Sequence, residues 1–334
     1  MPSLLPYTHP TTCLVVDDDT MFLDSFAHRY GDTMLCLTEA NPQHAIDRLK
    51  ALAASLAASD SSVYNQISAV PDGIAEDGET LFRVETSSIV QIARSLERFA
   101  QISIVIVDYS MPAMTGLEFC RSIKGLPIKK ILLTGKADDS TAVAAFNEGL
   151  IDLFMVKQDA RLSEKLPVEV ARLQQEYFIK RTAGISPLLQ TDEAAFLRDP
   201  EIVAWLEGLA STVGAVEHYL LTTTPGVMLA DPNGKTTMAY VYSADRMRAQ
   251  LEIATHAGAP AALIERLTAG RSLLVCPSKT GFYEPRFAAN WSRFVFDTVP
   301  VANSAAWQVA VNTASAVDLR SVSLRQFRRV RSKT

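Results

Sequence analysis

Five short apolar runs, spaced by helical patterns, constrain this 334-residue chain more than any other feature. They are residues 13–16 (CLVV), 34–37 (MLCL), 102–107 (ISIVIV), 130–133 (KILL) and 153–156 (LFMV). Runs that are apolar throughout, rather than alternating, suit strands buried on both faces of a parallel sheet. Helical patterns at 20–29, 42–58, 116–122 and 140–148 separate them. This alternation predicts a doubly wound α/β domain with a five-stranded parallel sheet. Ligands of such sheets bind outside the carboxyl ends of the strands. Asp17, Asp18, Asp108, Thr134 and Lys157 close the runs and should therefore share one edge.

One stretch breaks the rhythm. Residues 51–101 are too long for a single crossover, with a Ser/Asp/Gly-rich middle followed by an apolar stripe at Ile89, Ile92, Ala93, Leu96 and Phe99. We read an insertion there, part of which packs on something. After the fifth strand, Leu162, Leu166, Val170, Leu173 and Tyr177 follow steps of four, four, three and four. That stripe is either the last helix of the sheet domain, the reading we favour, or a coiled-coil seam that would make a homodimer. Gly184-Ile185-Ser186-Pro187 marks a boundary. The expected domains are thus 11–183 and 184–334. The second carries helical pattern over 192–221, interrupted at Asp199-Pro200, then two apolar runs at 226–230 and 237–242. The turn 231–235 (DPNGK) joins those runs as a hairpin. Further helices at 244–257 and 260–269 and β-like runs at 273–276, 294–296 and 307–311 predict a separate α+β domain.

Composition removes several classes. Hydrophobic residues make up 48% and charged residues 21%, which excludes a disordered chain. No apolar run has the length of a membrane span, and the first ten residues lack the basic and apolar regions of a secretory leader, so a cytoplasmic location is expected. The four cysteines and five histidines show no metal-ligand spacing. Residues 1–183 carry 17 Lys and Arg against 24 Asp and Glu, whereas 184–334 carry 15 against 13. Six of those 15 lie in the last 15 positions: Arg320, Arg325, Arg328, Arg329, Arg331 and Lys333. Such a tail can touch nucleic acid or acidic lipid, but we favour a frayed, solvated terminus, and an overall charge of +2 for the second half is a poor footprint for DNA.

The strand-end residues carry the chemistry. Three carboxylates packed together repel one another unless a cation sits among them, and hard oxygen ligands suit Mg²⁺. A lysine beside them can pair with a phosphoryl-like anion, and a threonine hydroxyl can hydrogen-bond one of its oxygens. This set fits phosphoryl transfer onto a carboxylate, Asp108, with Mg²⁺ and Lys157 offsetting the charge.

The same residues carry a family resemblance. Val15-Val16-Asp17-Asp18-Asp19, then residues 107–116 (VDYSMPAMTG), then Leu133-Thr134-Gly135-Lys136-Ala137, then Lys157, resemble the receiver domain of two-component response regulators. The likeness covers about residues 11–180 and implies a flavodoxin-like, CheY-like fold. It further implies that Asp108 is the phosphoacceptor, that Asp17, Asp18, Asp108 and the backbone carbonyl of Ser110 hold Mg²⁺, and that Thr134 and Lys157 assist. Phe154 matches the aromatic switch, Ser110 and Lys136 the positions that tune lifetime. The implied partner is a sensor histidine kinase or phosphotransfer protein. Gln158 stands where the family usually has proline, which affects the loop that follows. In layout the chain is also similar to Lqs-type quorum-sensing regulators.

Other motifs carry less. Asn233-Gly234-Lys235-Thr236-Thr237 lacks the first glycine of a phosphate loop, because position 229 is Leu229. Glu217-His218 lies on helical pattern and is set aside as a phosphorylatable histidine, because a lone helical histidine is structural or a surface residue. Residues 226–242 resemble the hairpin of PAS-type sensory domains. Aromatic and basic residues at Phe282, Tyr283, Arg286, Trp291 and Arg293 are read as packing. No paired acids or histidines mark the second half as an enzyme, so an interaction or ligand-sensing output is expected. A DNA-binding output and an enzyme acting on a nucleotide-like ligand are the alternatives.

Overall fold

The computed structural model describes residues 3–64, 69–74, 80–84, 87–135, 139–185, 189, 191–221, 223–301, 304, 306–314 and 317–331. The chain divides into two compact units. One joins His9–Ser62 to Glu97–Ala183; the other joins Met1–Thr8, Val63–Leu96 and Gly184–Thr334. In chain order the first elements are β1 (Tyr7–Thr8), β2 (Thr12–Val16), α1 (Thr20–Tyr30), β3 (Leu35–Glu39) and α2 (Pro42–Tyr64). Next come β4 (Ala69–Ile74), β5 (Thr80–Val84), α3 (Ser87–Ala93), α4 (Glu97–Ala100) and β6 (Ile102–Asp108). Then follow α5 (Gly116–Ser122), β7 (Lys129–Thr134), α6 (Asp139–Asn147), β8 (Leu153–Val156) and α7 (Leu162–Thr182).

The unit 9–62/97–183 is a five-stranded sheet in the order β3-β2-β6-β7-β8, parallel throughout. Side chains alternate across each strand, and the two faces build two cores. Leu14, Val16, Val105, Val107 and Leu132 pack with Ala45, Ile46 and Leu49 of α2 and with Leu117, Phe119 and Cys120 of α5. Cys13, Val15, Ile104, Ile106, Ile131 and Leu133 pack on the other face with α1 and α7. Every residue of β2 and β6 is buried, which explains why the runs show no polar alternation.

The α7 stripe belongs to this second core. Leu166 and Leu173 are fully buried, and Val170 and Tyr177 nearly so. It is the last helix of the sheet unit, and the dimer seam is set aside because its apolar face is already covered by β-strand side chains. The insertion is also narrower than residues 51–101: the sheet unit runs to Ser62 and resumes at Glu97. Helix α2 continues to Tyr64, β4 and β5 form an antiparallel hairpin, and Ile89 and Ala93 of α3 are buried. Phe99 lies in the sheet unit, where Thr12 Oγ1 donates to its carbonyl at 2.7 Å.

The other unit continues as a 3₁₀ turn (Asp192–Arg198), α8 (Pro200–Val213), β9 (Glu217–Leu220), β10 (Gly226–Ala230), β11 (Thr236–Ser243), α9 (Ala244–His256) and α10 (Ala261–Thr268). It ends with β12 (Ser272–Leu274), β13 (Val295–Val299), β14 (Trp307–Asn312) and α11 (Leu324–Arg331). Its antiparallel sheet has seven strands in the order β1-β9-β10-β11-β14-β13-β12. The hairpin turn forms as expected: Asp231 Oδ1 accepts from the amides of Asn233 at 2.8 Å and Lys235 at 2.9 Å, and Gly234 sits at φ 80°. Residues 217–220 correct the sequence reading. They are strand rather than helix, because Gly214 takes the left-handed conformation (φ 64°) that stops α8, and Glu217, Tyr219 and Leu220 are buried in the sheet. His218 is therefore a strand residue. Among the described residues no helix is long and apolar enough to cross a membrane.

Candidate functional site

Three consecutive aspartates after β2 take three separate jobs. Asp17 is buried, and its Oδ1 accepts the amide of Asp19 at 3.1 Å. Asp18 is exposed. Asp19 caps α1, accepting the amides of Met21 at 2.9 Å and Phe22 at 3.1 Å. Asp108 ends β6 buried, and its Oδ2 accepts the Ser110 amide at 2.7 Å. Carboxylate oxygens of Asp17, Asp18 and Asp108 all lie within 4.8 Å of one another.

Lys157, just beyond β8, reaches into this acid cluster. Its Nζ lies 2.5 Å from Asp17 Oδ2 and 2.7 Å from Asp108 Oδ1. Burial works against the ammonium, but the bonds to Asp108 and Asp17 outweigh it and hold the pKa above the usual lysine value. Burial pushes the Asp17 carboxyl up, and Lys157 offsets this only in part. The Lys157 direction comes from its two carboxylate partners and the Asp17 direction from burial, and the cluster holds three carboxylates beside one ammonium. The donor set is all hard oxygen, with one exposed carboxylate on the solvent side. That set fits Mg²⁺, which takes few protein ligands and keeps several waters.

The loop after Asp108 is held by its own sequence. Thr115 Oγ1 accepts the Glu118 amide at 3.2 Å, while Glu118 Oε2 accepts from the Thr115 amide at 2.8 Å, a reciprocal cap on α5. Gly116 follows because there is no room for a side chain. A Cβ there would lie 2.4 Å from the Asp108 carbonyl oxygen and 2.8 Å from Leu132 Cδ1.

Thr134 ends β7 buried, beside Val156 in the sheet register, and its carbonyl accepts the Lys157 amide at 2.8 Å. Phe154 is half-buried against the α2/α5 core. Ser110 is exposed at the site mouth. Lys136 lies outside the described residues. No peptide bond among the described residues is cis, so the bond before Gln158 is trans, and Lys157 still reaches both carboxylates. Sequence reasoning missed Phe22. The Lys157 ammonium lies 4.4 Å from its ring centroid. The available signal was an aromatic residue in the first turn of the helix that follows the acids.

Residues 73–166 match the response regulator receiver domain family. That match takes in β6 to β8 with Asp108, Thr134 and Lys157, while Asp17 and Asp18 precede it. These residues thus carry a receiver domain, and the five-stranded parallel sheet around them has the CheY-like receiver fold. Over 100% of this chain and 97% of the other, the fold is similar to that of the response regulator LqsR of Legionella pneumophila, with a TM-score of 0.73 at 24% identity. A CheY-like receiver domain protein from Methanospirillum hungatei JF-1 covers 50% of this chain and 96% of its own, with a TM-score of 0.30 at 18% identity. The signal receiver domain of a Luxo repressor protein from Vibrio parahaemolyticus covers 52% and 97%, with a TM-score of 0.33 at 14% identity. No curated protein matches the chain in sequence.

Proposed function

We propose that Asp108 accepts a phosphoryl group from the phosphohistidine of a sensor histidine kinase or phosphotransfer protein, and that this switches an output carried by the second unit. The observation that supports it is the Asp108 carboxylate, buried at a strand end between two further acids and bonded to Lys157. A carboxylate oxygen of Asp108 attacks phosphorus. The new O–P bond forms as the P–N bond breaks, and its electron pair leaves with the imidazole. Mg²⁺, held by Asp17, Asp18, Asp108 and the Ser110 carbonyl, would supply charge neutralisation on the transferred group. Lys157 turns its ammonium to the phosphoryl oxygens, and the Thr134 hydroxyl donates to one of them. Drawing Thr134 inwards leaves space for Phe154, a two-state change of a packed side chain. Ser110 and Lys136 set the access of the hydrolytic water.

Intact-mass spectrometry after incubation with acetyl phosphate and Mg²⁺ tests this. The parent should gain one phosphoryl group and Asp108→Asn none; equal gain in both would move the acceptor elsewhere.

For the output we favour an interaction or ligand-sensing module, on the hairpin of β10 and β11 within a seven-stranded sheet. DNA binding is the second reading, favoured by Arg325, Arg328, Arg329 and Arg331 gathered on α11. Salt-dependent retention on DNA separates the two.

A further inference from the structure

We infer that Phe22 is a positioning residue for Lys157, and that the electron-rich face of its ring sets how fast Asp108 takes a phosphoryl group. The inference rests on the phosphoacceptor reading above and adds a residue to it. Three features of α1 carry it. First, the Asp19 carboxylate fixes the helix start, accepting the Phe22 amide at 3.1 Å. Second, Phe22, Phe26 and Tyr30 stand four apart on one face, with ring centroids 5.9 Å and then 4.6 Å apart. Phe26 and Tyr30 are buried in the core, so they anchor the Phe22 ring from below. Third, Phe22 itself is only half-buried, and the Lys157 ammonium sits over its ring, 4.4 Å from the centroid. A ring placed only for packing would turn that face to apolar neighbours.

The chemistry gives this contact a use. An ammonium has three N–H donors, and Lys157 directs its charge to Asp17 and Asp108. A metal on the acid cluster competes for those same oxygens, and a phosphoryl group adds new acceptors at Asp108. Lys157 must therefore exchange partners during the reaction. The Phe22 face is a contact that neither the metal nor the phosphoryl group takes away. Cation–π attraction holds the ammonium near the acceptor without using an N–H.

The experiment uses the full chain with Phe22→Leu, Phe22→Trp and pentafluorophenylalanine at position 22. The last keeps the ring's shape and reverses its charge distribution. One readout needs no metal: the ε-methylene resonances of Lys157, assigned with Lys157→Arg, report the ring current of whatever lies beneath them. They should be shifted upfield in the parent and in Phe22→Trp, and lose that shift in Phe22→Leu. The second is the rate of phosphorylation by acetyl phosphate at saturating Mg²⁺. It should fall about three- to tenfold in Phe22→Leu and in the fluorinated variant, and be retained in Phe22→Trp. Mg²⁺ affinity measured by calorimetry should stay within about twofold in all of them, because the three carboxylates are untouched. If the parent is phosphorylated and the fluorinated ring works at the parent rate, Phe22 is a packing residue and the inference is overturned alone. If the parent takes no phosphoryl group at Asp108, the phosphoacceptor reading falls and takes this inference with it.

Discussion

Asp17 and Asp18 are neighbours in sequence with opposite environments, and the difference decides what each substitution does. Asp17 is buried and bonded to Lys157, so its loss would also leave a lysine short of a partner. Asp18 is exposed, so Asp18→Ala removes a carboxylate of the proposed Mg²⁺ site at little cost to the fold. We expect Asp18→Ala to keep the parent unfolding midpoint in urea while losing phosphorylation by acetyl phosphate; phosphorylation at the parent rate would remove Asp18 from the metal site. His218 makes a residue-scale prediction in the second unit. Its Nε2 donates to the Leu5 carbonyl at 2.9 Å and its Nδ1 pairs with Thr8 Oγ1 at 3.0 Å, tying the N-terminal segment to β9. Burial lowers its pKa below the usual histidine value, against a smaller opposing effect of the Leu5 bond. The folded state therefore binds this proton less readily than the unfolded chain. Its stabilising contribution is present in full above the unfolded pKa of about 6.5 and is lost as pH falls below it. Hydrogen exchange at Tyr7 and Thr8, corrected for intrinsic rates, should be less protected at acid pH than at neutral pH. Equal protection at both would show that protonation of this imidazole does not govern the pairing.

Elements were legible where a local pattern decides them and hidden where a distant partner does. The five parallel strands could be read because each holds a short, largely apolar run, and the shared edge followed from the polar residues that close β2, β6, β7 and β8. Strand β1 could not, since two residues pair with β9 across more than two hundred positions and leave no local trace. Strand β9 was hidden differently: its apolar spacing continues that of α8, and only the left-handed Gly214 separates them. The α7 stripe was ambiguous because core and seam ask for the same spacing. The structure removes that ambiguity with a measurable consequence. Leu173→Ala should cost about 2–5 kcal/mol in chemical unfolding and leave the mass by light scattering unchanged. A change in oligomeric state with little loss of stability would restore the seam. Two glycines give a paired prediction at this scale. Gly116→Ala must displace the Asp108 backbone or Leu132, costing about 1–3 kcal/mol and slowing phosphorylation together. Gly208 is exposed in α8, and a Cβ there would meet nothing within 4 Å, so alanine should add about 0.5–1 kcal/mol of stability. Equal effects at the two positions would refute the close approach at Gly116.

At the scale of the whole molecule, the proposed phosphoacceptor site draws its residues from three separate stretches of chain. Asp17 and Asp18 lie before residues 63–96, which belong to the other unit, while Asp108 and Lys157 lie after them. The sheet order β3-β2-β6 closes that gap, because β2 and β6 are adjacent and in register from Cys13↔Ile104 to Val16↔Val107. Sequence alone carried the acids and the lysine to one edge by the rule for parallel sheets. It did not carry the Phe22 ring to Lys157, since that contact depends on how α1 leaves the sheet. The most direct measurement is chemical trapping of the acyl phosphate. The protein is incubated with acetyl phosphate and Mg²⁺, reduced with borohydride, digested and sequenced by mass spectrometry. The account predicts homoserine at position 108 and none at 17 or 18, with trapping abolished in Asp108→Asn and Asp18→Ala. Homoserine at another position, or none under conditions where the protein remains folded, would contradict it.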